Sequence, residues 1–107
     1  MPMKTFAEFW PFYVRAHSKR ATRTLHAIGS ILALTMVSLA ITVNPWFLAG
    51  APLLGYGFAW YSHFFVEGNK PATFGHPFWS LAADYRMLGL VLAGRMEAEL
   101  QRLGIEN

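Results

Sequence analysis

The polar and apolar positions divide this chain into a mixed N-terminal segment, a long uncharged centre and a mixed C-terminal segment. No residue between positions 24 and 66 is Asp, Glu, Lys or Arg. A helix that crosses a bilayer needs about 20 predominantly apolar residues, and Asn44-Pro45 divides the uncharged centre into two stretches of that length. The pattern therefore predicts a membrane hairpin with spans at about residues 25–43 and 47–66.

An amphipathic helix is predicted on each side of this hairpin. Before it, Thr5-x-x-Glu8 has the spacing of a capping box, and the aromatic residues that follow recur at helical offsets that place His17 on one apolar stripe. After it, Pro77 stands at the favoured first position of a last helix that ends near Gly104. We expect an all-α integral membrane protein of four helices, with the two-span hairpin at its centre.

The composition agrees with a membrane protein of one domain. Charged residues make up 14% of the 107 residues, whereas soluble domains contain about 25%, and the mean hydropathy is +0.30. A chain of this length is too short for two independent cores, so residues 1–107 are expected to form a single membrane domain. The sequence has no cysteine, so a bound metal would need imidazole, carboxylate or backbone oxygen ligands.

The distribution of basic residues predicts the orientation of the hairpin. The turn between the two predicted spans has no charged residue, whereas five basic residues precede the first span: Lys4, Arg15, Lys19, Arg20 and Arg23. The positive-inside rule then places both termini in the cytoplasm. Basic residues next to aromatic ones also occur in nucleic-acid-binding proteins, but beside a span they are explained by anionic lipid headgroups, so no nucleic-acid partner is expected.

Three histidines are placed so that the hairpin would bring them together. His26 and His63 lie almost the same number of residues before and after the predicted turn, so two antiparallel helices of equal rise place them at one depth. His17 joins them if the chain bends within residues 18–22. Two interpretations follow: the three imidazoles share a metal at the cytoplasmic edge, or each is hydrogen-bonded to the backbone and has only a structural role.

Other polar residues within the largely apolar segments are candidates for catalytic roles. Glu67 follows His63 by one helical turn and is expected to act as a further ligand, a partner of a ligand or a base. On the last helix, Asp84 is a candidate for orienting a liganding imidazole and Arg86 for receiving an anionic headgroup, although an Asp–Arg surface pair explains both equally well. His76 is expected at a helix start or as a peripheral ligand.

Five segments, taken together, resemble the Mpo-type family of small multi-helix membrane proteins. The resemblance extends from about Phe9 to Met87, and the short chain with its Tyr-Arg-Met sequence is similar to the short bacterial subgroup. Two histidines nine apart, followed by His-x-x-x-Glu-x-x-x-Pro-Ala, form a specific combination. The segments are Phe9-Trp-Pro-Phe-Tyr13 with His17, Arg23-Thr-Leu-His26-x-x-Gly29, Gly55-Tyr-Gly-Phe-Ala-Trp60-x-x-His63-Phe-Phe-Val-Glu67, Lys70-Pro-Ala-Thr-Phe74 and Pro77-x-Trp-Ser-Leu81-x-x-Asp84-x-Arg-Met87.

The resemblance implies an activity and a metal. In its characterised branch, the family implies an iron(II)-dependent dioxygenase that acts on 2-hydroxy fatty acids and shortens them by one carbon. By their positions in the motifs, His17, His26 and His63 match the histidines expected to bind iron, and Glu67 matches the acidic residue beside them. A 2-hydroxy acid would chelate such an ion through its carboxylate and hydroxyl groups.

The implied substrate is a fatty acid or another membrane lipid whose acyl chain lies among the helices. The expected walls of its binding site are Tyr56, Trp60 and Phe64. Two other functions stay open: a non-enzymatic membrane protein, such as an assembly or lipid-binding factor with structural histidines, and haem ligation by two of the histidines. In each case we expect an integral protein of the bacterial inner membrane, and the oligomeric state is not predicted.

Overall fold

The computed structural model describes residues 3–105, and every regular element in that range is helical. There are five α-helices, at Phe6–Arg15 (α1), Arg20–Thr42 (α2), Gly50–Tyr61 (α3), Pro77–Leu92 (α4) and Met96–Leu103 (α5). A short 3₁₀ helix at Pro45–Ala49 leads into α3, a π-helical turn at Ser62–Glu67 follows it, and a 3₁₀ turn at Ala72–Phe74 precedes α4. The prediction of an all-α fold is confirmed.

Two helix starts depend on local sequence, as predicted. The Thr5 hydroxyl accepts a hydrogen bond from the backbone N–H of Glu8 at 3.2 Å. In return, the Glu8 carboxylate accepts from the backbone N–H of Lys4 at 2.7 Å. In a standard capping box it would accept from the N–H of the cap residue itself, Thr5, which is one residue later. Pro77 lies in the first turn of α4. The first N–H groups of a helix have no partner within the helix, so the N–H that proline lacks is not needed there.

The prediction of one C-terminal helix is wrong. The helix that begins at Pro77 ends at Leu92, and α5 begins at Met96. Between them Gly94 has a φ of +72°, a conformation that glycine adopts without the steric penalty of a β-carbon. The described residues therefore contain five α-helices rather than four, and the buried residue Leu100 packs α5 into the same core as α1.

Among the described residues, α2 is the helix that is long and apolar enough to cross a membrane. The predicted second span at residues 47–66 is helical throughout, but α3 itself has 12 residues. The helix type changes at Gly50 and again at Ser62. The two-span hairpin therefore stays a prediction.

Small residues bring α2 and α3 into close contact. A Cβ added at Gly29 would lie only 2.7 Å from the Cβ of Phe58, and one added at Gly55 would lie 3.5 Å from the Cβ of Ala33. Small residues on the facing sides of the two helices therefore form part of their interface.

The main hydrophobic core lies between α1, α4 and α5. Its fully buried members include Phe9, Trp10, Tyr13, Val14, Ala83, Met87, Met96 and Leu100. The histidines lie where this core meets the α2–α3 pair, because the space around them is lined from α1, α2, α3 and α4 together.

Candidate metal centre

Three buried histidines from three different parts of the chain meet at one point. His17 lies in the turn after α1, His26 in the second turn of α2 and His63 in the π-helical turn, and each is at most 4% exposed. Their ring centroids are 4.3, 4.5 and 5.0 Å apart, and one nitrogen of each lies within 4.8 Å of the other two. The structure thus brings together the three histidines that the sequence predicts to share a site.

The bend that brings His17 to α2 is held by Arg23. Its guanidinium group is 3% exposed, and Nη1 donates to the carbonyl oxygens of His17 at 2.9 Å and Ser18 at 2.6 Å. The bend that the sequence predicts within residues 18–22 lies slightly earlier, at residues 16–19 between α1 and α2. A buried arginine with several donors can hold two carbonyls of one turn, which a lysine cannot do as rigidly.

Glu67 connects the π-helical turn to the start of α2. Its carboxylate accepts hydrogen bonds from the Ser18 hydroxyl at 2.9 Å, the Lys19 backbone N–H at 2.9 Å and the Thr22 hydroxyl at 2.7 Å. The side chain of Lys19, the residue before α2, makes no capping bond. Glu67 therefore caps this helix from a distant part of the chain and fixes the turn that carries His63 against it.

Hydrogen bonds fix the tautomers of His17 and His63. Nδ1 of His17 lies 2.6 Å from the carbonyl oxygen of Tyr13, which can only accept, so this nitrogen carries the proton. Nδ1 of His63 lies 2.6 Å from Oδ1 of Asn69. The Asn69 amide donates from Nδ2 to the carbonyl oxygen of Ala16 at 3.1 Å, so its oxygen faces the imidazole. Both rings therefore have an unprotonated Nε2.

His26 is held in the same tautomer. Its Nδ1 lies 3.1 Å from the carbonyl oxygen of Thr22 and 3.0 Å from the Ser62 hydroxyl. Ser62 donates its own proton to the carbonyl oxygen of Ala59 at 2.6 Å, so its oxygen accepts from the imidazole. Nδ1 of His26 is thus the donor, and its Nε2 is unprotonated as well.

Three unprotonated Nε2 atoms in one place can bind a cation together. Those of His17 and His26 are 3.0 Å apart, and two lone pairs at this distance repel each other unless a positive charge lies beside them. Burial, together with the neighbouring His26 and His63, holds the pKa of His17 well below its ordinary value, so a proton does not supply that charge. Two nitrogens bound at right angles to one ion at about 2.1 Å would be about 3.0 Å apart, so the donor set fits a divalent metal.

Two adjoining cavities lie beside the histidines, and both are lined by His26, Tyr56 and Asp84. The smaller, about 10 Å³, lies between the three histidines and α4 and has room for about one ion or water molecule. The larger, about 220 Å³, extends from there along α2 and α3 to Val37 and Pro52 and is mostly apolar. A polar site therefore opens into an apolar channel.

The residues predicted to contact a substrate are placed differently from one another. Tyr56 lines both cavities and Trp60 lines the smaller one. Phe64 lines neither; it is exposed, with its ring centroid 6.5 Å from that of Phe74. Two of the three predicted walls therefore lie at the histidines.

Asp84 reaches the histidines through Tyr13. The Tyr13 hydroxyl donates to the Asp84 carboxylate, and its ring stacks on the imidazole of His17 with the centroids 4.0 Å apart. Burial raises the pKa of Asp84 to about 6. The sequence indicates one contact of Tyr13, the bond from its backbone carbonyl to the imidazole of His17. Tyr13 precedes His17 by four residues, as Thr22 precedes His26, and in a helix this spacing puts the earlier carbonyl within reach of the later side chain.

Arg86 and His76 lie away from the histidine cluster, and neither lines the two cavities. Arg86 forms an ion pair with Glu99 at 3.9 Å, rather than with Asp84. His76 is the residue before α4, as expected, but its ring makes no capping hydrogen bond and stacks on Trp79 with the centroids 5.1 Å apart.

The sequence was also compared with known proteins. The model of the family described as 2-hydroxy-palmitic acid dioxygenase Mpo1-like matches residues 3–96 of the 107. The comparisons with curated proteins and with solved structures give no match. The matched range contains the three histidines together with Glu67 and Asp84. Because it covers most of the chain, the resemblance to the Mpo-type family is confirmed, and this protein belongs to the 2-hydroxy-palmitic acid dioxygenase Mpo1-like family.

Proposed function

We propose that this protein is a metal-dependent dioxygenase that shortens a 2-hydroxy fatty acid from the membrane by one carbon. The observation that carries this function is the convergence of three buried, unprotonated imidazole nitrogens beside an apolar channel. The family description names a dioxygenase of 2-hydroxy-palmitic acid. Such a reaction balances when one dioxygen molecule accepts four electrons and the bond between the carboxyl carbon and C2 breaks, giving the shortened acid, carbon dioxide and water.

His17, His26 and His63 are proposed to hold iron(II) through Nε2. Imidazole ligands suit iron(II), and three of them leave positions open for other ligands. When bound, the ion supplies the one-electron chemistry that dioxygen requires and polarises substrate oxygen atoms. The bonds from each Nδ1 to carbonyl, hydroxyl or amide oxygens keep the rings in the binding orientation and increase the basicity of Nε2.

A haem bound by two of the histidines fits this geometry poorly. Two axial imidazoles lie on opposite faces of a porphyrin, so their nitrogens are about 4 Å apart when each metal–nitrogen bond is about 2 Å. Here Nε2 of His17 and Nε2 of His26 are 3.0 Å apart. The adjoining space of about 10 Å³ has no room for the macrocycle.

The other predicted catalytic residues are given separate roles. Glu67 is proposed as a positioning residue, because its three hydrogen bonds all reach the start of α2. Asp84 lies where the two cavities meet, beside the head of a substrate whose acyl chain occupies the larger cavity. Arg86, which lies outside both cavities, is proposed to connect α4 to α5 through Glu99 and not to take part in the reaction.

The site is proposed to lie at the cytoplasmic face of a membrane that α2 crosses. Only 17% of the most apolar stretch of α2 is buried, whereas the core helix of a soluble protein would be mostly buried. Exposed apolar side chains follow its length, and basic residues flank its N-terminal end. If α3 brings the chain back toward the cytoplasm, the turn at Asn44 lies on the opposite face of the membrane. A single cysteine placed at Asn44 should then react only with reagents added on that non-cytoplasmic face. Labelling from the cytoplasm would contradict this topology.

The test of function measures iron and turnover in the same preparations. Protein purified without oxygen should contain stoichiometric iron and convert 2-hydroxy-palmitic acid. His17→Ala, His26→Ala and His63→Ala should each lose most of the iron and the turnover, because the ligands of one chelate depend on each other. The matched control, His76→Ala, removes a histidine outside the cluster and should retain both.

Two outcomes would contradict the proposed function in different ways. Full retention of iron in His63→Ala would mean that the histidines do not share a metal. Iron without turnover in the wild-type protein would leave a metal-binding membrane protein that is not an enzyme, which is the alternative that the sequence left open.

A further inference from the structure

Ser80 has a buried hydroxyl group without a hydrogen-bond partner. Among the residues that the structure describes, it is the only buried side-chain polar atom of this kind, and Ser80 is 2% exposed. A serine within a helix often donates to the carbonyl four residues earlier, and that carbonyl, of His76, here accepts the backbone N–H of Ser80 at 2.9 Å. Buried polar groups are nearly always paired, so this hydroxyl indicates a place where a ligand binds.

The hydroxyl belongs to a residue that lines the smaller cavity, close to where that cavity meets the larger one. Ser80 lines the smaller cavity with the three histidines, and Asp84, one helical turn later on the same face of α4, lines both. Oδ1 of Asp84 accepts a hydrogen bond from Tyr13, and a carboxylate has the capacity to accept several more. The smaller cavity therefore offers a hydroxyl donor, Ser80, and one helical turn later a carboxylate acceptor, Asp84, where it meets the larger cavity.

This pair of groups complements a hydroxyl rather than a carboxylate. The negative charge of Asp84 repels the carboxylate of a fatty acid, but it accepts a hydrogen bond from a hydroxyl group. The same hydroxyl group has lone pairs that accept the proton of Ser80. A carbon chain without a hydroxyl at this position would leave both protein groups unpaired in a buried site.

We propose that Ser80, together with Asp84, binds the 2-hydroxyl group of the substrate: Ser80 donates to its oxygen and Asp84 accepts its proton. This contact selects 2-hydroxy fatty acids over unsubstituted ones, since a site built to pair a hydroxyl discriminates strongly against the analogue that lacks it. The assignment rests on the proposed function, which supplies the 2-hydroxy acid.

The test compares Ser80→Ala with Ser38→Ala, a control at an exposed serine of α2. Displacement of a fluorescent fatty acid in detergent gives the affinities of 2-hydroxy-palmitic acid and of palmitic acid, and iron content and turnover are measured alongside. Ser80→Ala should bind 2-hydroxy-palmitic acid about tenfold more weakly, as expected for one neutral hydrogen bond. Its affinity for palmitic acid should not fall, because that acid makes no bond to Ser80, and its iron content should not change. Ser38→Ala should resemble the wild type in all four measurements.

Two results would overturn this assignment. An equal loss of affinity for both acids would mean that Ser80 acts through packing, and an unchanged affinity for 2-hydroxy-palmitic acid would mean that its hydroxyl is not bound there. Asp84→Asn, which keeps an oxygen for Tyr13 but loses the charge, should also reduce the preference for the hydroxylated acid. Displacement does not need turnover, so a wild-type protein that prefers the hydroxylated acid without converting it would refute the proposed function and keep the assignment of Ser80.

Discussion

Substitutions of Glu67 distinguish a group that acts at the metal from a group that positions its ligands. The sequence allows a ligand, a partner of a ligand or a base, whereas the structure places all three of its hydrogen bonds at the start of α2. Glu67→Ala removes the connection between this helix and the turn that carries His63. Glu67→Gln keeps the oxygen that accepts from the backbone N–H of Lys19 and the Thr22 hydroxyl. It loses the charge and reverses the bond to Ser18, because an amide NH₂ in place of Oε2 donates to that hydroxyl instead of accepting from it.

The magnitudes follow from these three bonds. Hydrogen bonds to a charged group contribute about 1.5–3 kcal/mol each, but the bond to Lys19 is exposed and those to Ser18 and Thr22 are only partly buried, so water replaces much of what the carboxylate provides. We therefore expect Glu67→Ala to lose about 2 kcal/mol in total, or about 30-fold in iron affinity. This lies within the roughly 10- to 100-fold loss that groups behind metal ligands usually cause. For Glu67→Gln, which exchanges charged bonds for neutral ones, we expect a loss of about 3- to 5-fold.

Anaerobic titration against a coloured iron chelator measures these affinities, and circular dichroism shows whether the helices are intact. If Glu67→Gln lost as much affinity as Glu67→Ala while its helix content stayed at the wild-type level, the negative charge itself would be required. That result would refute a positioning role and return Glu67 to the part of a ligand or base.

Two further predictions concern stability. Gly29→Ala should lower the Tm in detergent, because its Cβ would lie 2.7 Å from that of Phe58 and overpacking costs about 1–3 kcal/mol. The control Gly57→Ala should leave the Tm unchanged, because nothing lies within 4 Å of an added Cβ there. Equal Tm values for the two variants would contradict the α2–α3 contact. A hydrogen bond from Arg102 lowers the pKa of Glu99 to about 2, so its stabilising effect is complete above its ordinary pKa of 4.5 and is lost as the pH falls toward 2. The Tm of Glu99→Gln should therefore change less with pH over this range, and parallel Tm curves would contradict the assignment.

Patterns within a few residues were enough to predict the helical class, several helix ends and the histidine cluster. Thr5, Pro77 and Gly104 mark helix ends through their own backbone preferences or through bonds to near neighbours. The equal spacing of His26 and His63 about the turn needs only that two helices pack side by side. The helix ends were predicted because they depend on short stretches of chain, and the histidine cluster because it depends only on the regular rise of two packed helices.

The groups that support the site depend on contacts between distant residues, and the sequence pattern did not reveal them. Asn69 orients His63 only because its amide also binds the carbonyl of Ala16, 53 positions earlier. In the π-helical turn the carbonyl of His63 accepts from the N–H of Gly68, five residues later, at 2.8 Å. The α-helical spacing therefore placed Glu67 above His63, whereas the wider turn directs it to α2.

The open side of the larger cavity would limit what the protein recognises in the proposed substrate. Tyr56 and Leu81, which line this cavity, are themselves exposed, so in a membrane an acyl chain that enters it exchanges lipid neighbours for apolar side chains. Removing a methylene group from water contributes about 0.8 kcal/mol, but moving it between two apolar surroundings contributes almost nothing. Under the proposed function, each added carbon therefore brings little affinity, and fatty acids would be distinguished by the chemistry of their heads rather than by the lengths of their tails.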